Sequence, residues 1–143
     1  MIEELKAIID TNLPLTTNLA NASACLNLLP DLNWCGFYLV KGESLYLGPF
    51  QGEVACTVIK KGHGVCGTAF LEKRSIKVDD VTKFAGHIAC SSKSKAELVT
   101  PIFNKMGDVV GVIDLDAPIL NRFTERDVAL LEEVSRILSP LFD

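Results

Sequence analysis

Hydrophobic and polar positions along the chain change period several times, and each change marks an element. Leu5, Ile8 and Ile9 follow helical spacing up to a break at "DTNLP". A second helical stretch runs from about Pro14 to Leu29, with Pro14 suited to a first helical turn. From "NWCGFYLV" onward the pattern becomes aromatic and β-branched, interrupted by the turn candidates "KGES" and "GPFQGE", which predicts strands at about 33–40, 44–48 and 54–59. "GHGVCGTAFLEKR" is a glycine-punctuated loop entering a short helix at about 66–73, and "SIKVDD" reads as a short strand. Residues 80–95 read as a long loop, a feature often tied to function in a small domain. "ELVTPIF" and "DVVGVIDLD" then form two strands joined by a turn at "NKMGD".

The clearest helix is the last one. In "FTERDVALLEEVSRILSP", Thr124 suits the N-cap, acidic residues fill the first turn, and Pro140 marks the stop. Val128, Leu131, Val134, Ile137 and Leu138 fall on one face. The order of elements predicts an α+β fold, with a central, mainly antiparallel sheet of five or six strands and the N- and C-terminal helices packed on one side.

Composition narrows the function classes. The 143 residues suffice for one domain, 1–143, whose core needs neither disulfide nor metal. A net charge of −4 and scattered lysines argue against a nucleic-acid surface. The acidic start lacks the order of a signal peptide and no apolar run is long enough to span a bilayer, so a soluble cytoplasmic protein without membrane contact is expected. Five cysteines (25, 35, 56, 66 and 90) are many for such a chain, and their odd number without any C-x-x-C pair does not read as a disulfide framework.

The cysteines differ in setting. Cys25 lies on a helix beside Leu28 and Leu29 and reads as core. If the first strand alternates, Cys35, Phe37 and Leu39 face one way, while Trp34, Gly36 and Tyr38 face the other. Trp34 and Tyr38 then serve either as core aromatics or as walls of a small-molecule pocket. Cys56 alternates with Val54 and Val58 on its expected strand. Cys66 opens a helix, where backbone N–H groups and the helix dipole favour a thiolate. Cys90, in "GHIACSSKSKAELVTP", sits in polar surroundings and is the most accessible candidate. A zinc site would draw on Cys56, Cys66 and Cys90 with His87 or His63, but it lacks paired ligand spacings, so no metal is expected. A cysteine-protease reading would pair Cys90 with His87, three positions away, and the sequence leaves that geometry open. A thiol redox site finds candidates for each role, including acids at Glu97, Asp114 and Asp116. Asp114 and Asp116 project from one face of their strand at the end of a buried run.

"NWCGFYLV", "LGPFQG", "GHGVCGTA", "VDDV", "GHIAC", "ELVTPI", "GVIDLDAP" and "RFTERD" occur in the order and spacing of the free methionine-(R)-sulfoxide reductases, single-domain proteins of the GAF fold. The chain resembles that family over about residues 13–138, and the cysteines at 56, 66 and 90 are the most diagnostic part. The resemblance implies that Cys90 attacks the sulfoxide sulfur and Cys56 resolves the resulting sulfenic acid as a disulfide. Cys66 matches a third family cysteine that relays, assists or packs. Glu97, Asp114 and Asp116 match carboxylates that hold the substrate or protonate its oxygen, and Trp34 and Tyr38 match aromatics that enclose its methyl and sulfur end. It further implies thioredoxin as reductant, no cofactor, and allows a homodimer. The competing expectation from the same fold is a non-catalytic binding module or cysteine-based redox sensor.

Overall fold

The computed structural model describes residues 1–87 and 92–143. Two helices come first, α1 (Ile2–Ile8) and α2 (Leu15–Leu26), followed by strands β1 (Trp34–Lys41), β2 (Ser44–Gln51) and β3 (Val58–Lys60). Helix α3 (Gly64–Glu72) leads to β4 (Ile76–Val78), and β5 (Ala96–Phe103), β6 (Val109–Ala117) and α4 (Glu125–Leu138) complete the chain. The six strands described form one antiparallel sheet in the order β3-β2-β1-β6-β5-β4, with β1 and β6 at its centre. This is the α+β arrangement that the periodicity predicts. No helix among the described residues is long and apolar enough to cross a membrane.

The sheet is buried on both faces. On one face, Cys35, Phe37, Leu98, Ile113 and Leu115 pack against Leu19 and Leu26 of α2 and Leu131, Val134 and Leu138 of α4. The N- and C-terminal helices thus share one side, as expected. The opposite face carries Trp34, Tyr38, Val99 and Val112, and α3 covers it with Val65, Cys66, Ala69 and Phe70. Cys25 and Cys35 are free, buried thiols in the first cluster, in the packing role their spacing suggests. Burial, with the charges of Asp114 and Asp116 behind it, pushes the Cys35 thiol up to about 12.

The expected third strand at 54–59 is corrected by the structure. β2 runs on to Gln51 through a bulge, where the register against β1 shifts between Gly36–Phe50 and Tyr38–Leu47. Gly48 and Pro49 sit in that bulge, where a missing amide donor costs least, because β3 pairs only with Ser44–Tyr46. Residues 52–56 therefore cross outside the ladder, and Cys56 lies in this irregular connection rather than on a strand. Gly36 is required at the bulge: a Cβ there would stand 2.3 Å from the Cβ of Phe50.

Helix α4 begins with a capping box. Thr124 Oγ1 accepts from the Asp127 amide, and the Asp127 carboxylate accepts from the Thr124 amide at 2.8 Å. We expect Thr124→Ala to cost about 1 kcal/mol, lowering the melting temperature by about 3–5 °C. An unchanged melting temperature would show that packing alone holds the helix start.

Candidate active site

The strand register builds the site. Asp116 lies directly across from Trp34 on β1 and from Glu97 on β5, and Asp114 lies across from Gly36 and Val99. Because alternate residues share a face, Trp34, Tyr38, Glu97, Asp114 and Asp116 all project towards α3. They line a cavity of about 250 Å³ whose rim includes Glu53, Val54 and Lys93. That volume lies below the ~300–1,000 Å³ of sites for drug-sized ligands, so it suits a smaller one.

One wall is aromatic. The ring of Trp34 stacks between Phe50, at 5.2 Å between centroids, and Tyr38, at 6.0 Å. Both polar tips are used to hold backbone: Trp34 Nε1 donates to the Glu53 carbonyl at 3.1 Å, and Tyr38 Oη donates to the Cys56 carbonyl at 2.9 Å. The irregular segment 53–56 is thus fixed by two side chains in place of a strand ladder. Cys56 is disulfide-bonded, whereas Cys66 is a free thiol. Cys90 lies outside the described residues.

The floor is acidic. Glu97 and Asp114 are buried and Asp116 is half-buried. Burial pushes all three carboxyls well above the usual range, and each is pushed further by a neighbouring carboxylate: Glu97 by Asp116, Asp116 by Asp114 and Asp114 by Glu97. Oδ1 of Asp114 is buried with no hydrogen-bond partner among the described residues. The Cys66 thiol donates a long contact, 4.0 Å, to Glu97 Oε2. His87 Nε2 is 3.6 Å from the other oxygen, Oε1, and burial lowers its basicity.

The match to proteins of known structure follows this geometry. The family described as GAF domain matches residues 4–139. The free methionine-R-sulfoxide reductase of Escherichia coli (strain K12) is 46% identical over 124 residues, which span 81% of this chain and 74% of that protein. The reduced form of fRMsr of Staphylococcus aureus superposes with a TM-score of 0.93 at 44% identity, covering 99% of this chain and 92% of the other. The Neisseria meningitidis free methionine-R-sulfoxide reductase in complex with its substrate gives 0.90 at 42% identity, covering 99% and 83%. The chain belongs to the free methionine-R-sulfoxide reductases, an oxidoreductase family built on the GAF fold.

Within this reductase-family fold the structure brings together seven of the eight residues singled out from the sequence: Trp34, Tyr38 and the three acids on the cavity wall, Cys66 beside them, and Cys56 at its edge. The expectation for Cys66 needs correction. It sits in the first turn of α3, but it is 4% exposed, and burial together with Asp114, Glu97 and Asp116 drives its thiol well up rather than down. The helix terminus offers at most about 2 kcal/mol to a thiolate, which does not offset burial among carboxylates. The sequence does not by itself connect His87 with Glu97, nor place Asn33 and Glu53 at the cavity. The length of the 80–95 loop was the available signal for His87. Lys93 pairs with Glu53, and Asn33 donates to Ser94 at 3.1 Å, so Lys93 and Ser94 tie this side of the cavity to Glu53 and Asn33.

The raised carboxyls set the sign of a pH effect. A carboxyl that binds its proton more tightly folded than unfolded contributes stability that is present below the unfolded value, about 4, and is lost as pH rises towards the folded value. Asp114→Asn removes one member of the cluster. Its melting temperature, relative to wild type, is expected to be higher at about pH 8 than at about pH 5. A difference that stays constant between the two would contradict the shared burial of charge.

Proposed function

We propose that this chain reduces free methionine-R-sulfoxide to methionine, with Cys90 as nucleophile and the buried carboxyls as substrate-holding and proton-donating groups. The observation that carries the reading is the acidic floor facing the Trp34–Tyr38 wall within a small cavity. An apolar methyl-sulfur end suits the indole and phenol faces, and an ammonium group suits the orphaned Asp114 oxygen. The relatives' names, which specify the free amino acid and the R epimer, supply substrate and stereochemistry.

The chemistry balances as a two-electron transfer. The Cys90 thiolate attacks the sulfoxide sulfur while a carboxyl of the floor protonates the departing oxygen. Methionine leaves and Cys90 becomes a sulfenic acid. The Cys56 thiol condenses with it, forming the disulfide and releasing water, and an external dithiol such as thioredoxin exchanges twice to restore both thiols. The electrons come from thiols throughout, so the cycle needs neither metal nor organic cofactor, and it suits a reducing cytoplasm. Cys56 being disulfide-bonded while Cys25, Cys35 and Cys66 are free supports Cys56 as the resolving thiol.

Turnover of free methionine-R-sulfoxide with dithiothreitol is the test. Wild type is expected to produce methionine, and Cys90→Ser to fall to the blank rate; retained turnover would remove Cys90 as nucleophile. N-acetylmethionine-R-sulfoxide, which lacks the ammonium group, is expected to lose about 100-fold or more in kcat/KM, because the floor would be left unpaired. Peptide mapping after one equivalent of substrate should find Cys56 joined to Cys90, and a Cys66–Cys90 bridge alone would displace Cys56 from its role.

A further inference from the structure

Cys66, Glu97 and Asp114 bring a thiol sulfur and two carboxylate oxygens, from α3, β5 and β6, within 4.8 Å of one another. Sγ of Cys66 stands 4.0 Å from Glu97 Oε2, and Nε2 of His87 stands 3.6 Å from Glu97 Oε1. A tetrahedral site with bonds of about 2.0–2.3 Å spaces its donors roughly 3.5 Å apart. The cluster therefore needs an inward movement of only about 1 Å to reach that spacing.

Acidic groups alone do not define a cation site, and two further features separate this cluster from a solvated one. One donor is a thiol buried to 4% exposure. Another comes from Asp114, a side chain 5% exposed that lines the cavity and whose Oδ1 is buried with no hydrogen-bond partner among the described residues. A buried oxygen left in this way calls for a donor or a cation. The donor set also selects the ion. Sulfur and imidazole nitrogen beside carboxylates favour zinc-class ions, whereas magnesium and calcium require six or more oxygens.

We propose that the cavity floor binds a thiophilic divalent cation of the zinc class, held by Cys66, Glu97 and Asp114 with His87 beside them, and that the bound cation excludes substrate. On binding, the cation replaces the Cys66 proton and any proton on the two carboxyls, which pass to solvent; no group changes oxidation state. The ion occupies the position taken by the substrate ammonium in the reductase cycle, so occupancy is competitive. The binding itself does not rest on that cycle.

Cobalt(II) titration of the reduced chain tests this directly. Wild type and a Cys56→Ser/Cys90→Ser double variant are both expected to develop a near-ultraviolet sulfur-to-cobalt charge-transfer band with tetrahedral d–d absorption. Cys66→Ser should lose the charge-transfer band, and Asp114→Asn should keep it while binding about 10-fold or more weaker. Zinc should displace cobalt and raise the apparent KM of wild type for the sulfoxide without lowering kcat. A folded wild type without the band overturns the proposal, as does a band that vanishes in the double variant and persists in Cys66→Ser. Should Cys66→Ser fail to fold, the wild type and the double variant still decide the matter. Cobalt binding without turnover would refute the reductase reading alone, and turnover without cobalt binding would refute this one alone.

Discussion

Glu97, Asp114 and Asp116 occupy adjoining positions on one face of the two strands β5 and β6, and that face is closed over by α3. Two unit charges 4 Å apart repel by about 4 kcal/mol at the effective dielectric of a protein surface, and more deeply buried pairs repel more. Full ionisation of the three is therefore resisted, and the cluster retains protons where isolated surface acids would have lost theirs. A fold that tolerates this must recover the cost elsewhere. It does so across the sheet, where Leu98, Ile113 and Leu115 of the same strands, together with Phe37 of β1, pack against α2 and α4. The strands are consequently two-sided: one face stabilises, and the other holds groups whose proton affinity the burial has raised.

The second constraint is positional. The thiol-bearing segment 53–56 lies outside the hydrogen-bonded ladder, and an irregular stretch beside a cavity would ordinarily be free to shift. Trp34 and Tyr38 prevent this by donating to the Glu53 and Cys56 carbonyls. The rings that wall the cavity therefore also position Cys56, and Phe50, placed by the bulge at Gly48–Pro49, buttresses the indole. Cavity shape and thiol placement are set by one group of residues, so a change in either aromatic acts on both.

What the sequence made legible was whatever depends on local periodicity. The shared face of Trp34 and Tyr38, the shared face of Asp114 and Asp116, and the apolar stripe of α4 all follow from spacings of two or of three and four, and the structure has each of them. The break between β2 and β3 was hidden because it depends on how far β3 reaches along its neighbour, a tertiary fact; "LGPFQG" has the composition of a turn and is used as a bulged strand. The state of Cys66 was misread for a related reason. Its place at a helix start is local, whereas the carboxylates that overrule the helix dipole arrive from strands 31 to 50 residues later in the chain. His87 was visible as a histidine in a long loop, but its neighbour Glu97 belongs to a strand, and only the fold brings the two side by side.

The central claim is that the buried carboxyl cluster keeps protons to a higher pH than isolated carboxyls do. Infrared difference spectroscopy of the reduced protein, wild type minus Asp114→Asn, in light and heavy water, measures this most directly through the C=O stretch of un-ionised carboxylic acid. The account predicts such a band persisting above the pH at which exposed carboxyls have ionised, sensitive to deuteration and displaced when methionine fills the cavity. A spectrum with carboxylate bands only, unchanged by ligand, would contradict it.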